Sequence, residues 1–353
     1  MATRTLLPSL LLMPLMVSCS SSTAKTVSKT GQPDLAAPAS SSMDFSLPSA
    51  LADMTSGSFD LSLLAPPSIR TPPAHGALLG AFVGVGMATP ADFQSEEQLI
   101  ARPWVIDNTF YSTEDWGTLR APWDIQNHKV PHITWQPADS LDDIIAGNAD
   151  ALYHQRAAEA KAFGTDFFLR WGHEMNGNWY PWAGVNNGGA GVGPPKYIAA
   201  WKHVHDLFVA DGATNAVWVW CPIVTDVPSD SWNHWTNYYP GDDYVDWVGI
   251  DTYNWGTSSS CCVWQSFTDL TQALYSDYAG KKPIIISEMS SAEVGGNKAA
   301  WINDFHTQLE TNFTGIKAVV WFDINKETDW RIDSSAPTLA AYKALALDPY
   351  FNP

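Results

Sequence analysis

Cysteine and basic residues are both scarce in this chain. Among its 353 residues, 4 are cysteine, and 19 lysines and arginines stand against 37 aspartates and glutamates. The resulting formal net charge of -18 argues against nucleic acid as a partner, because no basic surface is available to neutralise phosphates. A neutral polymer is a compatible partner, although acidity by itself indicates only solubility.

The few cysteines do not form a metal-binding pattern. Beyond Cys19, only Cys221, Cys261 and Cys262 are present. No pair of His or Cys residues has the spacing of metal ligands, so we predict no metal site. In an exported chain one disulfide could form, either between Cys221 and one of the two later cysteines or between those neighbours.

Tryptophan is absent from the first hundred residues, whereas all 18 tryptophans lie between Trp104 and Trp330. The folded part of the chain is therefore predicted to begin well after the N-terminus. Residues 20–75 are rich in Ser, Thr, Ala and Pro, without a sustained period of either strand or helix, which is typical of a tether. Residues 76–353 remain for a folded domain, for which nothing in the sequence suggests more than a monomer.

Residues 1–19 resemble an export signal. They contain one basic residue and a short apolar run that is interrupted by proline and is too short to span a bilayer. The run ends in Met-Val-Ser-Cys, which is similar to a bacterial lipobox. We therefore expect a cell-surface lipoprotein with its lipid on Cys19, and secretion after ordinary signal cleavage is the alternative.

Buried-strand patterns recur eight times in the folded part, and most of them are separated by segments of helical character. The clearest helix prediction is the Ala-rich segment 149–163, which Gly164 would terminate. Eight strand-and-helix units over roughly 280 residues predict one (β/α)8 TIM barrel, for which about 250 residues are typical. The predicted strands are 78–86, 104–110, 131–135, 166–171, 216–221, 245–253, 283–288 and 316–322.

An open doubly wound sheet is the alternative fold. That fold would be expected to carry a Gly-rich phosphate-binding turn after its first strand. Residues 84–86, Gly-Val-Gly, are too short for such a turn. The glycine run at 186–193 lacks the Lys-Ser/Thr of a phosphate loop and is better interpreted as a surface loop.

The segment Asp166–Trp182 changes character halfway along its length. Its first half is apolar and aromatic, as in a strand that is buried on both faces. Its second half begins with His173 and Glu174, but Gly177 stands where a zinc protease would need its second histidine. A carboxyl group at a strand end, beside aromatic rings that can stack on sugars, instead favours cleavage of a polysaccharide.

In a TIM barrel the chemistry lies at the C-terminal ends of the strands. Glu174 follows the fourth predicted strand among tryptophans that disfavour its charged form, which suits an acid. Glu288 ends the seventh predicted strand, where Tyr253 could donate a hydrogen bond and keep it ionised. Other residues predicted at this rim are Asn108, Phe110, Tyr111, Trp135, His173, Trp220, Asp251, Trp321 and Asp323.

Several motifs together resemble glycoside hydrolase family 26 over about residues 76–333. They are Arg-Trp-Gly-His-Glu-Met-Asn-Gly at 170–177, Trp-Tyr-Pro-Trp at 179–182, Trp-Gln-Pro at 135–137, Trp-Val-Gly-Ile-Asp-Thr-Tyr at 247–253, Ser-Glu at 287–288 and Trp-Phe-Asp at 321–323. The resemblance implies a retaining (β/α)8 glycosidase that needs no cofactor.

The resemblance also implies a role for individual residues. Glu174 would be the acid/base and Glu288 the nucleophile. His173 would orient the reacting sugar, Tyr253 would hydrogen-bond the nucleophile, and Trp321 would be the sugar platform. The remaining substrate-binding predictions are Trp135, Asn176, Trp179, Trp182 and Asp251.

The sequence leaves the polysaccharide open. The resemblance favours an endo-acting β-1,4-mannanase first and a mixed-linkage β-1,3-1,4-glucanase second, with β-1,3-xylan as a further family substrate. The sequence Trp-Tyr-Pro-Trp at 179–182 departs from the Trp-Phe-Trp-Trp associated with mannanases, which puts mannan in question. An alternative of another class is a barrel that binds carbohydrate without cleaving it.

Overall fold

The computed structural model describes residues 68–84, 89–118, 120–260 and 262–351. The predicted export signal, Cys19 and almost all of the predicted tether lie outside these residues, as does Cys261, so those interpretations stay predictions. No helix in the described part of the chain is long and apolar enough to cross a membrane.

Eight parallel strands close into a barrel in chain order, with the last strand paired to the first. This arrangement confirms the predicted TIM barrel, and each predicted strand overlaps its observed counterpart. The strands are β1 Leu78–Val83, β2 Ile106–Tyr111, β3 Val130–Trp135, β4 Phe167–Trp171, β5 Ala216–Trp220, β6 Trp247–Asn254, β7 Ile284–Ser291 and β8 Ile316–Asp323.

Helices connect all of the strands except β5 and β6. They are α1 Pro90–Ile100, α2 Arg120–Gln126, α3 Leu141–Ile145, α4 Asp150–Ala162, α5 Gly193–Ala210, α6 Phe267–Tyr278, α7 Lys298–Thr311 and α8 Ala336–Ala346. Between β5 and β6 the chain forms three short 3-10 turns instead. This segment contains Pro222, Pro228 and Pro240, which lack the amide hydrogen that an α-helix needs.

Local sequence signals fix where two of the outer helices begin. Thr89 precedes α1, and its side chain accepts from the amide of Asp92 while the Asp92 carboxylate accepts from the Thr89 amide. Ser266 and Asp269 form the same reciprocal pair at the start of α6. Such capping boxes satisfy amide groups that the first helical turn leaves without partners.

Side chains along β4 alternate between the helices and the barrel interior. Phe167, Leu169 and Trp171 belong to the apolar cluster that includes the helices, whereas Phe168 belongs to the interior cluster. Because successive side chains point to opposite faces of a strand, Arg170 also faces inward. The apolar burial stabilises the barrel wall by about 1.5–3 kcal/mol for each large side chain, while Arg170 requires polar partners.

The register between neighbouring strands places their inward-facing residues in common layers across the barrel. Phe110, Thr134 and Arg170 are direct register partners on β2, β3 and β4. One layer deeper, Asn108 pairs with His132. The interior therefore changes from apolar at its base to polar beneath the C-terminal ends of the strands.

Candidate active site

Glu174 lies just beyond β4, where the chain leaves the barrel wall. Its φ of 54° is in the left-handed region, which residues other than glycine seldom adopt. Its amide donates to the carbonyl oxygen of Cys221 at 2.8 Å, which ties this turn to the end of β5. Such backbone strain concentrates at functional sites, so the conformation marks Glu174 as a candidate functional residue.

Glu174 is only 1% exposed. Its Oε2 accepts a hydrogen bond of 2.6 Å from the indole Nε1 of Trp179. Burial and, secondly, the negative charge of Glu288 raise the pKa of Glu174 to about 8. A carboxyl group with this pKa holds its proton at neutral pH and can serve as a general acid.

Glu288 reaches the same site through an irregularity in β7. Ile286 pairs with Ile250, but the next pair along these strands is Glu288 with Asp251, so β7 contains one extra residue there. A bulge of this kind redirects the side chain that follows it. The hydroxyl of Tyr253 donates to Glu288 Oε2 at 2.5 Å, and Arg170 Nη2 donates to Oε1.

Arg170 is a buried cation that pairs with two carboxylates near the C-terminal ends of the strands. Its Nη1 donates to both carboxylate oxygens of Asp251 at 2.8 and 2.7 Å, and its Nη2 pairs with Glu288. Burial by itself would lower the pKa of Arg170, but the charges of Asp251 and Glu288 outweigh it and raise that pKa well above its ordinary value. Arg170 therefore stays charged and contacts both carboxyl groups.

Cys221 is part of this network rather than part of a disulfide. Its thiol is free and buried, and it donates to Asp251 Oδ1 at 3.1 Å. The possible bridge between Cys221 and the later cysteines is therefore wrong. The thiol adds a third hydrogen bond to the carboxylate of Asp251, which is completely buried.

His173 is neutral, and its ring is packed against the aromatic side chains of Tyr180 and Trp182. Its Nε2 lies 3.0 Å from the hydroxyl of Tyr180. Burial and the nearby charge of Arg170 lower the pKa of His173 well below its ordinary value. The ring of Tyr180 stacks on that of Trp182, with 4.3 Å between centroids. This histidine can donate or accept one hydrogen bond, but it brings no positive charge to the site.

Two aromatic residues predicted to bind sugar face the helices instead, so these predictions are wrong. Trp321 is 1% exposed, and its ring packs against Trp301 of α7 and Tyr342 of α8. Trp135 is also 1% exposed, and its nearest rings include Tyr153 of α4. Both residues occupy outward positions of their strands, where they stabilise the barrel and cannot reach a sugar.

Three other predicted binding residues are buried in supporting contacts. Asn176 donates to the Ile223 carbonyl oxygen and to Asp226 Oδ1, both at 2.8 Å, which joins two loops. Trp182 is 4% exposed and donates its indole hydrogen to the carbonyl oxygen of His173. Both carboxylate oxygens of Asp251 accept from Arg170, and Oδ1 also accepts from Cys221. These three residues support the site from behind and do not face its opening.

The aromatic surface that stays accessible at this end of the barrel differs from the predicted one. Its half-buried side chains on and after β2, β4 and β6 include Phe110, Trp179, Tyr180 and Trp255. Of these, only Trp179 was predicted to bind substrate. Strand alternation could have indicated Phe110, since it lies two residues after the inward-facing Asn108 on β2.

One trio at the site has the composition of a metal centre. Ligand atoms of His173, Asp251 and Glu288 lie within 4.8 Å of one another. However, Arg170 already supplies positive charge to both carboxylates, and the Nε2 of His173 is engaged by Tyr180. Within this trio, Arg170 therefore already balances the charge of both carboxylates.

Comparison with known proteins identifies the family of this chain. The model of glycosyl hydrolase family 26 matches residues 120–327, more than half of the chain, and that segment contains both glutamates. This chain belongs to glycosyl hydrolase family 26. The resemblance predicted from the sequence motifs is thereby confirmed.

Two curated relatives of this family 26 protein have different activities in their names. Endoglucanase H of Acetivibrio thermocellus is 42% identical over 277 residues, which are 76% of this chain and 30% of the relative. Mannan endo-1,4-beta-mannosidase A and B of Caldalkalibacillus mannanilyticus is 32% identical over 151 residues, which are 41% of this chain and 26% of the relative. The chain thus spans less than a third of the curated relatives it matches.

Solved structures show the same fold. A family 26 β-mannanase from Bacteroides ovatus matches with a TM-score of 0.58 at 15% identity, covering 78% of this chain and 90% of that one. An endo-β-1,4-mannanase double mutant from Cellulomonas fimi also gives 0.58, at 16% identity, covering 78% and 71%. At these identities the likeness supports the barrel fold and nothing finer.

Proposed function

We propose that this family 26 glycosidase is a retaining endo-β-glycanase that uses Glu174 as acid/base and Glu288 as nucleophile. One observation carries the proposal: the two carboxyl groups share one site but have opposite environments. Glu174 is buried with its pKa raised to about 8, whereas Glu288 is paired with Arg170 and Tyr253. A neutral acid beside an ionised carboxylate is what double displacement requires.

The reaction would proceed in two balanced steps. In the first, a Glu288 oxygen bonds to the anomeric carbon, the glycosidic C–O bond breaks, and the leaving oxygen takes the proton of Glu174. In the second, the Glu174 carboxylate removes a proton from water, which attacks the anomeric carbon and releases Glu288. Tyr253 and Arg170 hold the nucleophile in position during both steps.

The half-buried aromatic residues would form the sugar-binding surface. A pyranose ring has an apolar face that stacks on flat aromatic side chains. Trp179 is attached to the acid through its hydrogen bond to Glu174, so a sugar stacked on it would lie beside the leaving group. Trp255, which follows β6 and whose ring contacts Tyr253 and Trp330, would extend this surface.

For the substrate, we propose a β-glucan with β-1,4 linkages, with β-1,4-mannan as the second candidate. The relative named endoglucanase is 42% identical over 277 residues, whereas the relative named mannosidase is 32% identical over only 151. This choice reverses the order predicted from the sequence motifs. The relative named mannosidase keeps mannan in second place.

Release of reducing ends from purified polysaccharides tests this choice. Residues 68–353 would be incubated separately with mixed-linkage β-glucan, linear β-1,4-mannan and β-1,3-xylan. We expect release from the glucan at a rate well above that from the other two. Preferential release from mannan would reverse the substrate order, and glycan binding without any new reducing ends would favour the silent carbohydrate-binding alternative.

We expect the pH dependence of kcat/KM to show an alkaline limb near pH 8. The protonated form of Glu174 is the active acid, so activity should fall as pH rises through its pKa of about 8. The hydrogen bond from Trp179 favours the charged form of Glu174. Trp179→Phe should therefore move this limb to higher pH, as measured by initial rates on a soluble substrate between about pH 4 and 10.

A matched control is Trp123→Phe, which makes the same change on the outer helix α2. It should leave the alkaline limb where it is in the wild-type protein. An alkaline limb that stays fixed in Trp179→Phe, or that moves to lower pH, would contradict the assignment of this limb to Glu174.

A further inference from the structure

A continuous chain of polar contacts leads from the nucleophile into the barrel interior. Arg170 pairs with Glu288 through Nη2, while its Nε donates to the hydroxyl oxygen of Thr134 at 3.0 Å. The Thr134 hydroxyl in turn donates to the amide oxygen of Asn108 at 2.7 Å. Thr134 is completely buried, and Asn108 is 2% exposed. The chain thus crosses three neighbouring strands, β2, β3 and β4.

Each group in this chain has a fixed direction. The Nε of Arg170 can only donate, so the Thr134 oxygen must accept from it and use its own hydrogen for another partner. The carbonyl oxygen of the Asn108 amide accepts that hydrogen. The guanidinium is planar, with Nε on one edge and Nη2 extending toward Glu288. A hydrogen bond that fixes Nε therefore also fixes the rotation of the guanidinium and the direction of Nη2.

We propose that Thr134 is a positioning residue for the reaction, acting on Glu288 through the guanidinium of Arg170. This inference rests on the proposed function, because it takes Glu288 to be the nucleophile. Asp251 contacts only Nη1. In the absence of the hydrogen bond to Thr134, the guanidinium can therefore rotate about the contact between Nη1 and Asp251. The Nη2 contact to Glu288 then loses its alignment. Misplacement of a reacting group by about 1 Å can reduce the rate about 100-fold.

Covalent trapping of the nucleophile tests this proposal without depending on turnover. The probe is 2,4-dinitrophenyl 2-deoxy-2-fluoro-β-cellobioside, with the mannobioside counterpart if wild type proves mannan-specific. A Glu288 oxygen bonds to the anomeric carbon while dinitrophenolate leaves with the electron pair, and the fluorine slows hydrolysis of the adduct. This leaving group needs no acid, so the labelling rate, followed by intact-protein mass spectrometry, reports on Glu288 alone.

We expect Thr134→Val to label about 10–100 times more slowly than wild type. Valine has the shape of threonine but cannot accept the Nε hydrogen. Thr134→Ser retains the hydroxyl and should label within about threefold of wild type, and Thr134→Cys should fall between the two because its sulfur accepts weakly.

Thr271→Val is the matched control. Thr271 lies on α6, is completely buried, and its hydroxyl makes no hydrogen bond to the described residues. This variant also removes a buried hydroxyl, but it should label within about twofold of wild type.

The outcomes separate the two proposals. Failure of wild type to acquire a label on Glu288 with either probe would overturn the assignment of the nucleophile. Labelling of wild type together with equal rates in folded Thr134→Val would overturn the positioning role while leaving the nucleophile intact. Should Thr134→Val not fold, equal labelling rates for Thr134→Cys and Thr134→Ser would overturn the positioning role in the same way.

Discussion

Glu288→Gln is expected to reduce kcat on the preferred polysaccharide by about 10⁴-fold or more while leaving the protein folded. Loss of a nucleophile has an effect of this size in enzymes that form covalent intermediates. Glutamine has the size of glutamate and can still contact Tyr253 and Arg170, but its neutral amide cannot form the glycosyl ester. Initial rates of reducing-end release, together with circular dichroism of the variant, measure both parts of this expectation.

Comparison with Glu174 distinguishes the two roles. Glu174→Ala should lose about 10²- to 10⁴-fold on polysaccharide, the range for loss of a general acid. It should form the glycosyl intermediate rapidly from a dinitrophenyl glycoside, which needs no acid, and added azide should intercept this intermediate as the β-glycosyl azide. Glu288→Ala should instead yield the α-glycosyl azide. Appearance of the same anomer from both variants would refute the separate assignments.

Arg170→Met is expected to cost about 3–5 kcal/mol in the free energy of unfolding at neutral pH. Methionine fills part of the space, but Asp251 and Glu288 then remain buried without their cation. Breaking a buried ion pair by removing one partner is costly because the other charge stays uncompensated. Urea unfolding followed by tryptophan fluorescence provides the measurement.

The pH dependence of this loss identifies its cause. Burial raises the pKa of Asp251 and the charge of Arg170 opposes this, so in the variant Asp251 binds a proton more readily as the pH falls, which removes its uncompensated charge. The difference from wild type should therefore be largest near pH 7 and smaller near pH 5. Arg170→Lys retains the charge but not the planar fork, so it should lose less stability than Arg170→Met. A loss that does not change with pH would point to packing instead of charge.

The sequence allowed prediction of the barrel and of the positions of both glutamates at its mouth because each depends on a local pattern. Buried parallel strands appear as apolar runs, and eight such runs at regular intervals leave few folds available. Glu174 and Glu288 stand out as carboxyl groups directly after such runs. The contact between Tyr253 and Glu288 was also predicted, since adjacent strands bring their ends together.

The sugar platform was mispredicted because aromatic identity took precedence over strand alternation. Trp321 and Trp135 are large and lie near strand ends, but the next residue on β8, Phe322, and the preceding residue on β3, Thr134, face the interior. If the assignment of a strand is wrong by one residue, every side chain is assigned to the wrong face of the sheet. The charge of Arg170 requires polar partners inside the barrel. This requirement would have assigned Thr134, and not Trp135, to the inner face of β3.

The position of Glu288 relative to Asp251 could not have been obtained by counting. Strict alternation from the interior Ile285 would place Ser287 inward and Glu288 toward the helices. The extra residue in β7 after Ile286 changes this, so that the carboxylate of Glu288 meets Arg170 and Tyr253 instead. Bulges depend on contacts between strands, and no local sequence pattern in β7 indicates one.

Stereochemistry of the first product tests the central claim most directly. Proton NMR during the first minutes of hydrolysis of a β-1,4-linked gluco- or manno-oligosaccharide, whichever is cleaved faster, resolves the two anomers before they equilibrate. A double displacement by Glu174 and Glu288 predicts that the β-anomer appears first and the α-anomer only later by mutarotation. Initial appearance of the α-anomer would mean single displacement by water and would contradict the nucleophilic role of Glu288.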